Sequence, residues 1–216
     1  DISILNKLGL SIVVVHGGGP RIKRELDKSN IHTTFIRGLR VTDQNIIKII
    51  ENVLIDFNND IVGALEKKGS KAVSINTKTN NIINVIPEKA ELGFVGIPDK
   101  INTDTIKNMI DKNQIPVVAP LGLGENNNPY NINGDTAAGA ISAAMRASRM
   151  IMLTDVAGVL DKKGNLITEL TIDQALELIE KKVVVGGMIP KVKTCIDAVQ
   201  GGAEASVIMD GRMPHS

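Results

Sequence analysis

Two rhythms of apolar and polar positions alternate along this chain. Runs that are apolar on both faces when extended recur as SIVVV (11–15), KAVSI (71–75), IPVVAPL (115–121), RMIMLTD (149–155) and EASVIMD (204–210). Between them, apolar residues return with helical spacing. The spacing predicts helices from Pro20 to about Lys28 and over 42–69, 103–113, 133–147, 171–182 and 190–202. Thr42 or Asp43 can cap the longest of these, and Gly69 can end it. Turn residues between short alternating runs predict β-hairpins within 76–101, and another over 158–170 that turns at Lys162–Gly164. The opening DISILNKLGL reads as the tail of a helix already under way, with Ile4, Leu5 and Leu8 on one face. Doubly apolar strands alternating with helices predict an α/β fold, its mostly parallel sheet covered on both sides.

Composition narrows the function classes. The 216 residues are 43% apolar and 23% charged, enough for one domain or two closely joined lobes. Lysine and arginine number 25 against 24 acidic residues, a net charge of +1, so no basic field marks a nucleic-acid or membrane partner. Aromatics make up 2% with no Trp, which argues against a base-stacking platform. The apolar runs are too short to span a bilayer. Cys195 is the single cysteine, so neither an internal disulfide nor a cysteine metal site is expected. No signal-peptide pattern opens the sequence, and the expected compartment is the cytoplasm. Because residue 1 is not Met and DGRMPHS runs straight out of a strand, the chain is read as a fragment.

Three places share one design, a strand, a glycine-rich turn and a helix start. They are His16-Gly17-Gly18-Gly19-Pro20, NINGDTAAG (131–139) and GGMIPK (186–191). Such turns let backbone amides face an anion beside the positive end of a helix dipole. One turn alone is more often a tight loop; three together point to a polyanionic ligand. No P-loop is present, since Ala140 follows Gly139, and Ile22 breaks the dinucleotide fingerprint. Arg40 in RGLRVTD can clamp a carboxylate or stand in solvent. Asn131 and Asn133 share a face if extended, and either read a substrate or satisfy a turn. Asp135 is a candidate helix cap. Lys191, one residue inside its expected helix, is unfavourable near the dipole's positive end unless an anion sits between. His16 reads as a packed histidine rather than a base, and no Ser–His–Asp or Cys–His pattern stands out.

The pieces VVVHGGGP, RGLRVTD, LGFVG, NINGDTAAGA, LTDVAGVLD, GGMIPKV and DGRMPHS, in this order, resemble the acetylglutamate kinases of the amino acid kinase superfamily. The resemblance spans nearly the whole chain. It implies a three-layer α/β/α sandwich of the amino acid kinase (carbamate kinase-like) type, one domain over 1–216 with a substrate lobe over roughly 1–148 and a nucleotide lobe over roughly 149–216. The implied reaction moves the γ-phosphoryl of ATP, with Mg²⁺, to the side-chain carboxylate of N-acetyl-L-glutamate, in arginine synthesis. By position, Gly18 and Gly19 would lie against substrate and phosphoryl, and Arg40, Asn131 and Asn133 would contact substrate. Lys191 would neutralise the transferring phosphoryl, and Asp135 would organise the catalytic lysines. Asp155, Val156, Ala157, Gly158, Val159 and Leu160, with Val183, Val184 and Val185, would line the nucleotide site. No metal-ligating side chain is expected. A homodimer is implied, and FVGIPDKIN with GGMIPKV resembles the hexameric, arginine-inhibited subgroup. The family's first strand, ending in a lysine before a glycine pair, would precede residue 1, and its last strands and helix would follow residue 216. That leaves two alternatives open, a non-catalytic sensor of the same fold and a kinase for another acidic amino acid.

Overall fold

A computed structural model describes residues 1–213, so the Pro-His-Ser end of the DGRMPHS match lies outside the described residues. The chain divides into two compact units, the first Asp1–Ala137 and the second beginning at Ala138.

The first unit runs α1 (Ile2–Lys7), β1 (Val14–Val15), α2 (Gly19–Lys28), β2 (Phe35–Ile36), β3 (Leu39–Arg40), α3 (Gln44–Lys67), β4 (Ala72–Ile75), β5 (Ile83–Pro87), β6 (Gly96–Ile101), α4 (Thr103–Asp111), β7 (Ile115–Val118), β8 (Leu121–Leu123), β9 (Pro129–Asn131) and the start of α5 (Gly134–Met145). β7 lies between β1 and β4 in an all-parallel sheet, with Val14 opposite Val117 and Ala72 opposite Ile115. Each residue of β7 is buried, as a strand covered on both faces requires. α3 starts where Asp43 accepts hydrogen bonds from the amides of Asn45 and Ile46. Its Ile46, Ile50 and Leu54 pack with Ile22 and Leu26 of α2 in one apolar cluster. A second sheet, in the order β6-β5-β8-β9, is built from the expected hairpin region and the β8–β9 hairpin.

One expectation for this unit changes. The run 115–121 is not one strand. Pro120 has no amide hydrogen for the ladder, and Leu121 N–H turns back to the carbonyl of Ala119 at 2.8 Å. β7 therefore stops at Val118, and Leu121 opens β8 in the other sheet. In α1, Ile4, Leu5 and Leu8 share a side as expected, and that side faces solvent, while Ser3 and Asn6 are buried. Ile2 packs beside Leu65 and Ile115, and Asn6 reaches the carbonyl of Leu10, which turns the polar side inward.

The second unit holds the rest of α5, then β10 (Met150–Thr154), α6 (Ile172–Glu180), α7 (Met188–Gln200) and β11 (Ser206–Asp210). β10 and β11 pair in parallel from Met150–Ser206 to Thr154–Asp210. Met150 and Met152 are buried with Ala198 and Ala203, whereas Ile151 and Leu153 on the other face are 56% and 60% exposed. Among the described residues that face has no cover, so the double burial expected of this strand is met on one side only. Thr171 and Gln174 close a capping box at the start of α6. Asp161 accepts hydrogen bonds from the amides of Lys163 and Asn165 and thereby makes the expected turn.

α7 begins two residues before the expected start, at Met188 after Gly187. Amides of a first helical turn have no partner within the helix, so Pro190 fits as third residue as well as first. Lys191 is consequently the fourth helical residue and closes the first turn, rather than standing one residue inside the helix.

Candidate active site

β1 delivers the chain into His16 and the three glycines at the carboxyl end of the parallel sheet, where α/β folds bind ligands. Gly18 caps α2, and no side chain caps that first turn. The glycines differ in what they avoid. A Cβ on Gly17 or Gly19 would meet nothing within 4 Å, while one on Gly18 would overlap Leu54, a wholly buried core side chain. Packing accounts for Gly18, and open space flanks it on both sides.

His16 is packed, as expected. It is 7% exposed and lies edge-on to Phe57 with ring centroids 5.0 Å apart. Its Nδ1 is 2.8 Å from the carbonyl of Gly17, and its Nε2 is 3.2 Å from Nδ2 of Asn58. Burial holds the imidazole pKa below its usual value, outweighing the Gly17 carbonyl, and the nearby Arg21 charge adds to the lowering.

The second glycine-rich turn meets the first. A Cβ on Gly134 would stand 3.4 Å from the carbonyl oxygen of His16 and 3.5 Å from Cα of Gly17. Asn133 is the cap here, accepting hydrogen bonds from the amides of Asp135 at 2.9 Å and Thr136 at 3.1 Å. Asp135 is not the cap; it is the second residue of α5 and half-buried.

Arg40 and Asn131 lie on one hydrogen-bond ladder. The Thr42 hydroxyl donates to the carbonyl of Arg40 at 2.8 Å, Phe94 N–H donates to the carbonyl of Thr42 at 2.7 Å, and Asn131 N–H donates to the carbonyl of Phe94 at 2.9 Å. The guanidinium of Arg40 is not a free surface group. It donates to Thr33 Oγ1 and sits 4.6 Å from the centre of the Phe35 ring. Partial burial lowers its pKa. A guanidinium is a planar fork of donors whose geometry suits a carboxylate.

In the second unit, residues 155–160 and 183–185 come together. Val159 and Val184 are buried in one cluster with Ala175, Val192 and Ile196, and so serve as its packing. Val156, Leu160 and Val185 are exposed apolar groups, at 40%, 40% and 60%. Asp155 and Ala157 are exposed and Gly158 is buried. Lys191 Nζ lies 4.0 Å from the sulfur of Met152. Beyond the ends of β10 and β11, Gly211 N–H donates to the carbonyl of Thr154, and Arg212 grips Asp210 through two side-chain nitrogens. That fork holds the Asp210 carboxyl down to about 2.

Among known proteins, the amino acid kinase family model matches residues 1–210. The acetylglutamate kinase of Pelagibacter ubique (strain HTCC1062) is 49% identical over the whole of this chain, which spans 75% of that protein. The chain belongs to the acetylglutamate kinases of the amino acid kinase family. Solved structures agree on the fold of the family. The protein smu.665 of Streptococcus mutans UA159 superposes with a TM-score of 0.89 at 28% identity, over 97% of this chain and 86% of that one. N-acetylglutamate synthase of Neisseria gonorrhoeae, solved with coenzyme A and N-acetyl-glutamate, gives 0.88 at 21% identity over 100% and 50%. Giardia lamblia carbamate kinase bound to AMP-PNP gives 0.73 at 18% over 97% and 80%. The same architecture thus carries both kinases and a synthase, and identity over the whole chain, not fold, separates them. As an amino acid kinase it takes ATP as co-substrate. Among the described residues no helix is long and apolar enough to cross a membrane.

Three groups of supporting residues escaped the sequence reading. Thr33 and Phe35 hold Arg40, Asn58 holds His16, and Arg212 holds Asp210. Only the last has a local signal, an aspartate two residues before an arginine in a turn.

Proposed function

We propose that this chain transfers the γ-phosphoryl of ATP to the side-chain carboxylate of N-acetyl-L-glutamate, giving N-acetyl-L-glutamyl 5-phosphate and ADP, the second step of arginine synthesis by the acetylated route. The observation that carries this reading is the 49% identity, over the full chain, to an acetylglutamate kinase. The acceptor is a carboxylate with a reference pKa of about 4.3, already ionised at neutral pH. No general base is needed, so a histidine that is buried and kept neutral fits the chemistry. What the reaction requires is an anion held in line with a polyphosphate while charge is neutralised.

In this reading Arg40 takes the substrate α-carboxylate, and Asn131 and Asn133 take its polar groups. Gly18 and Gly19 present amides at the start of α2. Lys191 neutralises the transferring phosphoryl, and Asp135 organises the catalytic lysines. The exposed apolar groups Val156, Leu160 and Val185 suit the faces of an adenine ring, with Asp155, Ala157, Gly158, Val159, Val183 and Val184 forming the surrounding loops. Mg²⁺ bound to the nucleotide would shield its phosphates, with Lys191 neutralising the transferring group beside it. Family resemblance further supports a homodimer in the cytoplasm, with a hexameric, arginine-inhibited form as the further possibility to test.

The experiment is ADP release by the full-length protein with ATP, Mg²⁺ and N-acetylglutamate. Turnover is expected. No turnover there, with turnover on aspartate or glutamate, overturns the substrate. Tight binding of nucleotide and acetylglutamate without ADP release identifies a sensor instead.

A further inference from the structure

We propose that His16 is a positioning residue for phosphoryl transfer: it turns the Gly17–Gly18 peptide so that the Gly18 N–H faces the transferring phosphate. This rests on the phosphoryl-transfer reading above, and it assigns a task to a histidine that the chemistry itself does not use.

The argument starts from hydrogen-bond bookkeeping. The carbonyl of Gly17 can only accept, so the proton shared across the 2.8 Å contact belongs to Nδ1 of His16. In the neutral ring Nε2 then accepts, and its neighbour 3.2 Å away is Nδ2 of Asn58, a donor. The orientation of the Asn58 amide is fixed independently, because the same Nδ2 donates to the carbonyl of Val117 at 2.9 Å. Turning the amide over would set two acceptors against each other at Val117. Asn58 is fully buried, and its Oδ1 has no hydrogen-bond partner. A buried orphan acceptor is costly. The site accepts that cost to keep both amide hydrogens where they are, one on β7 and one on the imidazole.

The consequence lies in the next peptide. No peptide bond in the described chain is cis. In a planar trans peptide the C=O and the following N–H point in opposite directions. The Gly17 carbonyl is drawn toward the buried His16 ring, so the Gly18 N–H points away from it. Flanking that N–H are Gly17 and Gly19, where an added Cβ would meet nothing within 4 Å. The start of α2 adds its dipole in the same place. A relay from β7 through Asn58 and His16 thus sets the direction of one amide in the loop.

Two variants of the full-length protein separate positioning from packing. His16→Phe keeps a ring on Phe57 but cannot donate to Gly17. His16→Asn keeps a donor at the position of Nδ1. His16→Phe is expected to lower kcat between about 10- and 100-fold, the range for a misdirected preorganised donor, with KM for acetylglutamate unchanged. His16→Asn is expected to recover most of that loss. Full kcat in a folded His16→Phe protein overturns the proposal, as does equal loss in both variants. Two readouts do not need activity. Nitrogen-15 NMR of the wild type is expected to show the Nδ1–H tautomer of His16, and finding the Nε2–H tautomer overturns the proposal. The Gly18 amide resonance is expected to move on adding AMP-PNP with Mg²⁺ in the wild type and to move less in His16→Phe. Equal movement in both overturns the proposal. If the wild type binds AMP-PNP in this way but does not phosphorylate acetylglutamate, the functional reading fails while the positioning role stands.

Discussion

The carbonyl oxygen of Thr42 occupies the place where a Cβ on Gly93 would stand. Gly93 also has φ +67°, a conformation that costs any other residue. Thr42 is fully buried, donates its amide to the carbonyl of Leu92 and accepts from the amide of Phe94, so it is held on both sides of Gly93. Gly93→Ala is expected to destabilise the protein by about 2 kcal/mol or more, read from urea unfolding. The same variant is expected to raise KM for acetylglutamate, because Arg40 and Asn131 sit at the two ends of that ladder. An unchanged midpoint would show that the loop around Gly93 yields.

Arg40→Ala is expected to raise KM for acetylglutamate about 10- to 100-fold, the value of charge-assisted hydrogen bonds to a carboxylate, with KM for ATP unchanged. Arg40→Lys keeps the charge but loses the fork and the stacking on Phe35, and is expected to restore only part of the affinity. A change in ATP affinity instead would move Arg40 out of the substrate site.

Lys191→Ala is expected to lower kcat about 10²–10³-fold with little change in either KM, since its partner gains charge mainly in the transition state. Steady-state kinetics decide the matter. Unchanged kcat removes Lys191 from the chemistry.

His16 makes stability pH-dependent in a defined direction. Its folded pKa lies below 6.5 because burial disfavours the imidazolium. Between those two values the unfolded chain binds the proton that the native ring refuses, so unfolding free energy falls as pH drops below about 6.5 and is fully restored above it. Urea unfolding at pH 7.5 and 5.5 is expected to show the loss, and His16→Phe is expected to remove the histidine's share of it. A slope that is the same in both proteins would place the titration elsewhere.

Much of the fold could be read from period and punctuation. β7 and α3 announce themselves through an uninterrupted apolar run and through apolar returns between Asp43 and Gly69. The start of α7 lies two residues earlier than its sequence suggests, because Pro190 looks like a first helical residue when a later position in the first turn suits it as well. Which side of α1 turns inward is set by Asn6, which reaches Leu10 and Asn113, and its own spacing does not reveal those partners. At the site, the glycines, Arg40 and the asparagines stood out by residue type. Their supports did not. Asn58 lies in the middle of a helix whose other inward positions are apolar, and nothing local tells that its partners are His16 and Val117. Gly93 looks like any turn glycine until the carbonyl of Thr42 is placed beside it.

The contact between Gly18 and Leu54 means that the loop and the core beneath it are free to vary only as a pair. Repacking that core with a larger side chain at position 54 would press upward on the glycine turn and disturb it from below. A smaller residue at 54 would open room for alanine at 18. In related sequences, substitutions at these two positions should therefore travel together, and efforts to stabilise the enzyme by filling its interior should leave this one helical position alone.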